Sequence, residues 1–330
     1  MKAIHGGDIY RNHVEIDFSV NVNPLGIPKR VEDALHESIA MCKSYPDIKT
    51  EKLKKAVGKM LGVEEEVLLF GNGASELFMA IVHAIRPKRT VIPVPSFYGY
   101  EYAAKASEGE VVFGDSYSEI TEGTDLLFLA NPNNPTGTLL SKKEIKELLD
   151  YCRERNIVVV LDECFIEFCE SDSSMISEIE QYENLIIVRA FTKIFAIPGV
   201  RLGYLISSNQ EILDRIRMQL PEWNISSLAQ AAGIACAKEM EFVERTIAFV
   251  DKERAFLTEG LKKFGFKVIP SSTNFIFFYT EKELYEPLLQ RGILIRDCSN
   301  FRGLKKGYYR IAVKTREENQ TLLKVIGELN

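Results

Sequence analysis

The stretch RAFTKIFAIPGVRLGYL at residues 189–205 follows on an apolar run, NLIIVRAF (184–191), and leads into a second one, GYLIS (203–207). Short apolar runs bounded by turn formers read as buried strands. Between these two strands lie Thr192, Lys193, a Pro198-Gly199 break, and Arg201 eight residues after the lysine. Most lysines sit on solvated faces, and that reading holds for most other lysines of this chain. A lysine at the end of an apolar strand is a different case. Partial desolvation and a nearby cation make such an amine reactive toward carbonyls. Arg201 is the candidate cation, and its guanidinium can also clamp an anion such as phosphate.

Outward from this stretch, strands and helices alternate. Upstream, VLLFG (67–71), TVIPVPS (90–96), EVVFG (110–114), DLLFLANP (125–132) and IVVVLDE (157–163) read as buried strands. Helical patterns separate them at 71–85, at 98–106 and at 141–155, where Ser141 and Glu144 form a capping box. Strands apolar on both faces and alternating with helices predict an α/β fold whose mainly parallel sheet is covered by helices on both sides. After residue 208 long helices take over, and then short strands at 274–280, 293–298 and 308–313 predict a small α+β C-terminal domain. The expected division is an N-terminal arm (1–30) lying across the small domain and the active site, a large domain (31–215) and a small domain (216–330).

Composition narrows the function. The 330 residues are 46% hydrophobic and 27% charged, with a formal net charge of −6. No basic block offers a footprint for nucleic acid, so an anionic substrate must be held by a few placed arginines. The six cysteines show no paired spacing and read as free thiols of a reducing compartment. The four histidines form no HxxH pair, so no metal is expected. With no apolar signal core and no run of membrane-spanning length, the expectation is a cytoplasmic protein without membrane contact.

In parallel α/β sheets ligands gather at the carboxyl ends of strands. GNGAS (71–75) opens a helix there, and the amides of Ala74 and Ser75 can receive a phosphate, although a plain glycine turn has the same pattern. PSFYGY (95–100) offers Phe97 to the face of a planar ligand or to the core. NPNNPTG (131–137) can present Asn134 inward. Asp162 ends the most apolar strand and needs a cationic partner, either a protonated ring nitrogen or a neighbouring arginine. In combination these residues describe a pyridoxal 5′-phosphate site, with Lys193 as the Schiff-base lysine, Asp162 on the ring nitrogen, and the phosphate on a helix N-terminus plus Arg201.

With NPNNPTG and TKxFxxPGxRLGY (192–204), the chain resembles the fold-type I pyridoxal-phosphate enzymes, in the histidinol-phosphate aminotransferase-like branch. The resemblance extends over nearly the whole chain. Within that branch HGG (5–7), DFSVNVNPLG (17–26), DECFIEF (162–168), AIPGVRLGYL (196–205), ILIRDCSNFRGL (293–304) and YYRIAV (308–313) are similar to the L-threonine O-3-phosphate decarboxylases of cobalamin biosynthesis. Decarboxylation of O-phospho-L-threonine is therefore the implied activity. Histidinol-phosphate amino transfer is the alternative, and a PLP-binding regulator without turnover the remote one.

The resemblance also implies a homodimer with shared active sites, in which Tyr45 reaches the neighbouring cofactor's phosphate. It assigns His5, Gly6, Asn23, Asn134, Arg296 and Arg310 to a small phosphorylated amino-acid substrate. Arg296 and Arg310 each lie on a short apolar strand, where a guanidinium needs a substrate anion or an internal carboxylate. Two positions depart from the aminotransferase pattern. Phe165 stands three residues after Asp162, where a tyrosine would bond the cofactor's O3′. Ala190 stands where relatives carry Ser or Thr, a lost phosphate contact for which Thr192 can compensate.

Overall fold

The computed structural model describes residues 5–114, 120–169 and 172–329. The chain opens with a short strand, β1 (Ile16–Asp17), and two helices, α1 (Lys29–Ser38) and α2 (Glu51–Leu61). The alternating part follows as β2 (Leu68–Gly71), α3 (Ala74–Ile85), β3 (Arg89–Pro93), α4 (Tyr98–Ala104), β4 (Glu110–Gly114), β5 (Leu126–Ala130), α5 (Lys142–Arg153) and β6 (Val158–Asp162). It continues as β7 (Leu185–Ala190), a single turn α6 (Phe191–Ile194), β8 (Gly203–Ile206) and α7 (Gln210–Arg217). The expected capping box of α5 is present, with Ser141 and Glu144 each serving the other's backbone amide.

The predicted sheet has seven strands in the order β2-β8-β7-β6-β5-β3-β4. All pairings are parallel except those of β8, which runs antiparallel to β2 and β7. Both faces are buried. Val160, Ile186 and Val188 pack with Leu77, Phe78 and Tyr100 on one side. Val159, Leu161 and Ile187 pack with Leu53, Ile145 and Ala232 on the other. Strand period 2 explains this split, since successive residues of one strand must find two separate cores.

The helical stretch expected from 226 to 264 is two helices, α8 (Ser227–Cys236) and α9 (Met240–Lys263). Beyond them lie β9 (Lys267–Ile269), β10 (Phe275–Tyr279), α10 (Tyr285–Leu289), β11 (Ile293–Leu294), β12 (Arg296–Asp297), β13 (Tyr308–Ala312) and α11 (Arg316–Glu328). A separate four-stranded antiparallel sheet has the order β12-β13-β10-β9. β1 pairs in parallel with β11, and the Ala312 amide donates to the Phe18 carbonyl at 2.8 Å, so the N-terminal segment is tied to this second sheet. No helix among the described residues is long and apolar enough to cross a membrane.

β4 lies at the edge beyond β3, and the chain then crosses back to lay β5 on the other side of β3. The connections therefore leave in opposite directions from a crevice between β3 and β5, which is where open α/β sheets bind ligands. The loops after β3 and β5 flank that crevice, and Asn133 Nδ2 joins them by donating to the Pro95 carbonyl at 3.0 Å.

Candidate active site

A cavity of about 370 Å³ opens at this crevice, between the strand ends of the large sheet and the face of the small one. That volume lies near the lower end of cavities that enclose small organic ligands.

One end of the cavity is built around the start of α3. No side chain caps this helix, so its first amides keep their positive partial charge for something else. Gly73 precedes it at φ +82°, and a Cβ there would lie 2.5 Å from Arg201 Nη2. Only glycine meets both demands, a left-handed backbone and close passage of the guanidinium. Gly203 has a similar task, because a Cβ there would lie 2.7 Å from the Ala74 amide nitrogen and cover it. Arg201 itself has φ 60° and donates from Nη1 to the Pro198 carbonyl at 3.1 Å. Ser75, Ala190 and Thr192 complete this end. Uncapped amides beside a guanidinium make an anion-binding corner.

Asp162 lies at the last position of β6. The Tyr100 hydroxyl donates to its Oδ2, and the Cys164 amide donates to its Oδ1 at 2.9 Å. Burial pushes the carboxyl up, while the hydrogen bonds from Cys164 and Tyr100 pull it down. Among the described residues no lysine or arginine forms an ion pair with it. Arg189 donates instead from Nε and Nη2 to Glu163 at 3.0 and 2.8 Å on the opposite face of the sheet.

Lys193 sits in the single turn α6, next to the end of β7. Its amine is lowered to about 8, first by burial, then by the charge of Arg310, with Arg201 contributing less. The expected cation, Arg201, is thus the lesser of two. The stronger influence comes from Arg310, 117 positions after the lysine, which only the fold brings near.

The second sheet supplies the facing wall. Arg310 on β13 donates from Nη1 to the Asn134 amide oxygen and from Nη2 to the Ser19 carbonyl at 2.9 Å, while its Nε is buried without a partner. Desolvation pulls its pKa down to about 10, which marks a cation lacking compensation. Arg296 on β12 donates from Nη1 to the Asp297 carbonyl at 2.6 Å and from Nη2 to Asn300 Oδ1 at 2.7 Å. His5 lies at the mouth, its ring centroid 5.8 Å from that of Phe97, and burial with the charges of Arg296 and Arg310 lowers its pKa.

His5, Gly6, Ala74, Ser75, Phe97, Asn134, Asp162, Thr192, Lys193, Arg201, Arg296 and Arg310 all line the one cavity. Asn23 does not. Its Nδ2 donates to the Ile194 carbonyl at 2.6 Å and to Thr246 Oγ1 at 2.8 Å, and its Oδ1 accepts from the Leu25 amide at 2.9 Å, so the side chain is consumed in holding the arm. Asn21 lines the cavity in its place and leaves a buried Oδ1 without a partner. Tyr45 is also absent from the cavity of its own chain. It is 81% exposed and its ring lies 4.8 Å from Trp223.

Tyr100 was missed altogether, although its position one helical turn after Phe97 was a signal that both face one way. Phe165 lines the cavity with its ring packed edge-on against Phe275, centroids 5.1 Å apart, so the apolar side chain finds apolar company there.

Pyridoxal 5′-phosphate carries a phosphate, an aldehyde and a basic ring nitrogen. The cavity offers uncapped amides with a guanidinium, an amine of lowered pKa, and a carboxylate in no ion pair among the described residues. These residues fit the group.

The profile of the class I and II aminotransferases matches residues 14–326. The chain is 31% identical to the threonine-phosphate decarboxylase of Salmonella typhimurium, over 93% of this chain and 89% of that protein. The solved histidinol-phosphate aminotransferase of Clostridium acetobutylicum is 34% identical with a TM-score of 0.90, covering 95% of this chain and 98% of that one. The solved L-threonine-O-3-phosphate decarboxylase of Porphyromonas gingivalis is 29% identical with a TM-score of 0.87, covering 95% and 99%. Strand order, cavity and sequence agree: the chain belongs to the class I and II aminotransferase family of pyridoxal 5′-phosphate-dependent enzymes.

Proposed function

We propose that this enzyme decarboxylates O-phospho-L-threonine to (R)-1-aminopropan-2-yl phosphate and CO2, a step of cobalamin biosynthesis. The observation that carries the reading is the pair Arg296 and Arg310, two buried guanidiniums lining one small cavity. A single substrate with both a carboxylate and a phosphate meets both of them. Histidinol phosphate has a phosphate but no carboxylate.

Pyridoxal 5′-phosphate, when bound, supplies an aldehyde that captures the substrate amine and a ring that accepts the electron pair released at Cα. The amides of Ala74 and Ser75, with Thr192 and Arg201, would hold its phosphate. Phe97 would cover the ring face, Asn134 would bond the ring substituents, and Asp162, itself oriented by the Tyr100 hydroxyl, would keep the proton on the ring nitrogen. Arg296 and Arg310, helped by His5, Gly6 and Asn21, grip the substrate's anionic groups. Their grip would orient the substrate's carboxylate and so select which bond at Cα is broken. In decarboxylation the bond from Cα to the carboxyl carbon would break, its electron pair staying at Cα as CO2 departs. The Lys193 amine, as an ammonium, then returns a proton to Cα. Phe165 offers no hydroxyl where aminotransferases use one. The Tyr45 ring of a second copy is proposed to complete the phosphate corner in a homodimer.

A second reading, histidinol-phosphate aminotransferase, is favoured by the likeness to the Clostridium acetobutylicum structure. A side-by-side assay separates them, measuring CO2 from O-phospho-L-threonine and glutamate from histidinol phosphate with 2-oxoglutarate. CO2 release is expected, and it should fall by about 10⁴-fold in Lys193→Ala. Glutamate formation without CO2 release would overturn the decarboxylase reading.

A further inference from the structure

The turn between β12 and β13 carries Asn300, Phe301 and Arg302, and their side chains go separate ways. Asn300 Oδ1 accepts from Arg296 Nη2 at 2.7 Å, and the Phe301 ring lies under the same guanidinium, 5.0 Å from centroid to Cζ. These two residues grip Arg296. Arg302 instead leaves its own sheet. Its Nε and Nη2 each donate at 2.7 Å to the two carboxylate oxygens of Glu101 on α4, and its guanidinium lies over the Phe113 ring of β4 at 4.1 Å. Glu101 is nearly buried and also receives the Lys105 ammonium at 2.7 Å. These cations hold its carboxyl down to about 2, so it stays ionised across the working pH range.

A forked guanidinium on a carboxylate fixes both distance and angle, unlike a single ion pair. This one joins a helix of the large sheet to the turn that grips Arg296, across 201 residues of chain. Arg302 is not needed as an anion-binding charge, because Glu101 already neutralises it. Its contacts suit it to holding Asn300 and Phe301 at the cavity rim.

We propose that the Glu101–Arg302 pair is a clamp that positions Arg296, and thereby sets how tightly the enzyme holds its substrate's anionic group without entering the chemistry. Both are positioning residues. The inference rests on the proposed substrate, and its test is arranged so that the two can fail separately. Glu101→Gln, Arg302→Gln and the double variant are to be compared with the wild type. KM for O-phospho-L-threonine is expected to rise roughly tenfold in each single variant. The double variant should be no worse than either single one, and the absorption spectrum of the bound cofactor should not change. Calorimetric titration of O-phospho-L-threonine into a Lys193→Ala background should show the same tenfold weakening without turnover. Thermal melts check that each variant is folded.

The opposing idea is that Arg302 binds the substrate directly once Glu101 releases it. In that case Glu101→Gln frees the guanidinium and lowers KM while Arg302→Gln raises it, a result that overturns the clamp. Unchanged KM and unchanged binding in both single variants overturn it as well. Absent CO2 release by the wild type overturns the substrate instead, and the clamp is then read from KM for histidinol phosphate.

Discussion

Asp162 and Glu163 are neighbours in the chain, yet the two sides of the sheet treat them differently. Glu163 is fully buried and fully satisfied. It accepts two bonds from Arg189, one from Ser174 Oγ at 2.8 Å and one from the Met175 amide at 2.8 Å. Asp162, one residue earlier and on the other face, has a hydroxyl and an amide but no cationic side chain. Lys193 and Arg310 share that face with lowered pKa values. On the back of the sheet Arg189 is ion-paired to both Glu163 and Glu167, whereas on the front Asp162, Lys193 and Arg310 form no ion pair with one another. The difference teaches that burial alone does not mark a site. Buried charge left to be completed by a ligand does.

The back face gives the largest expected effect. Glu163→Gln takes from Arg189 its forked carboxylate and leaves only the longer ion pair to Glu167 at 3.8 Å, which should destabilise the fold by about 3 kcal/mol, read from the urea midpoint. Replacing both partners, as Glu163→Leu with Arg189→Met, should recover most of that loss, since the remaining carboxyl, Glu167, is already pushed up to about 7 by burial and can go neutral. If the single variant melts like the wild type, the contrast between the two faces collapses.

On the front face Arg310→Met should leave stability nearly intact and weaken the substrate instead. Losing a charge-assisted contact costs about 2–3 kcal/mol, a rise of roughly 30- to 150-fold in KM by steady-state CO2 release. A stability loss comparable to that of Glu163→Gln would mean that Arg310 belongs to the scaffold.

The smallest effect is a shift in pH dependence. Capture of pyridoxal 5′-phosphate by the cofactor-free protein needs the neutral Lys193 amine, whose population grows as pH rises through about 8. Capture should therefore speed up across that pH, followed by absorbance in rapid mixing. Arg310 is a cation that disfavours the ammonium, so Arg310→Met should move the midpoint upward. A midpoint that stays or falls would show that burial by itself sets the lysine.

Much of this was legible before folding. Strand-end positions follow from apolar runs, and ligands collect at strand ends, so Asp162, Lys193, Phe97 and the start of α3 could be read from local pattern. Arg201 could be read from its spacing. Asn23 shows where such reading stops. The run VNVNP contains two asparagines of equal local character, and only packing of the arm against Ile194 and Thr246 turns one inward and leaves the other on the cavity. Tyr100 had a helical-turn signal, but its bond to Asp162 depends on how α4 lies over β6.

By itself the sequence determined the alternating fold, the strand-end residues that line the cavity and the presence of two arginines on short apolar strands, because each of these is written in periodicity or in the cost of burying charge. Tertiary structure alone decided which cation governs Lys193, which asparagine faces the cavity, and that Arg302 reaches Glu101 rather than the substrate side. Those are relations between segments more than a hundred residues apart, and side-chain direction across such a gap is set by packing, for which local pattern carries no information.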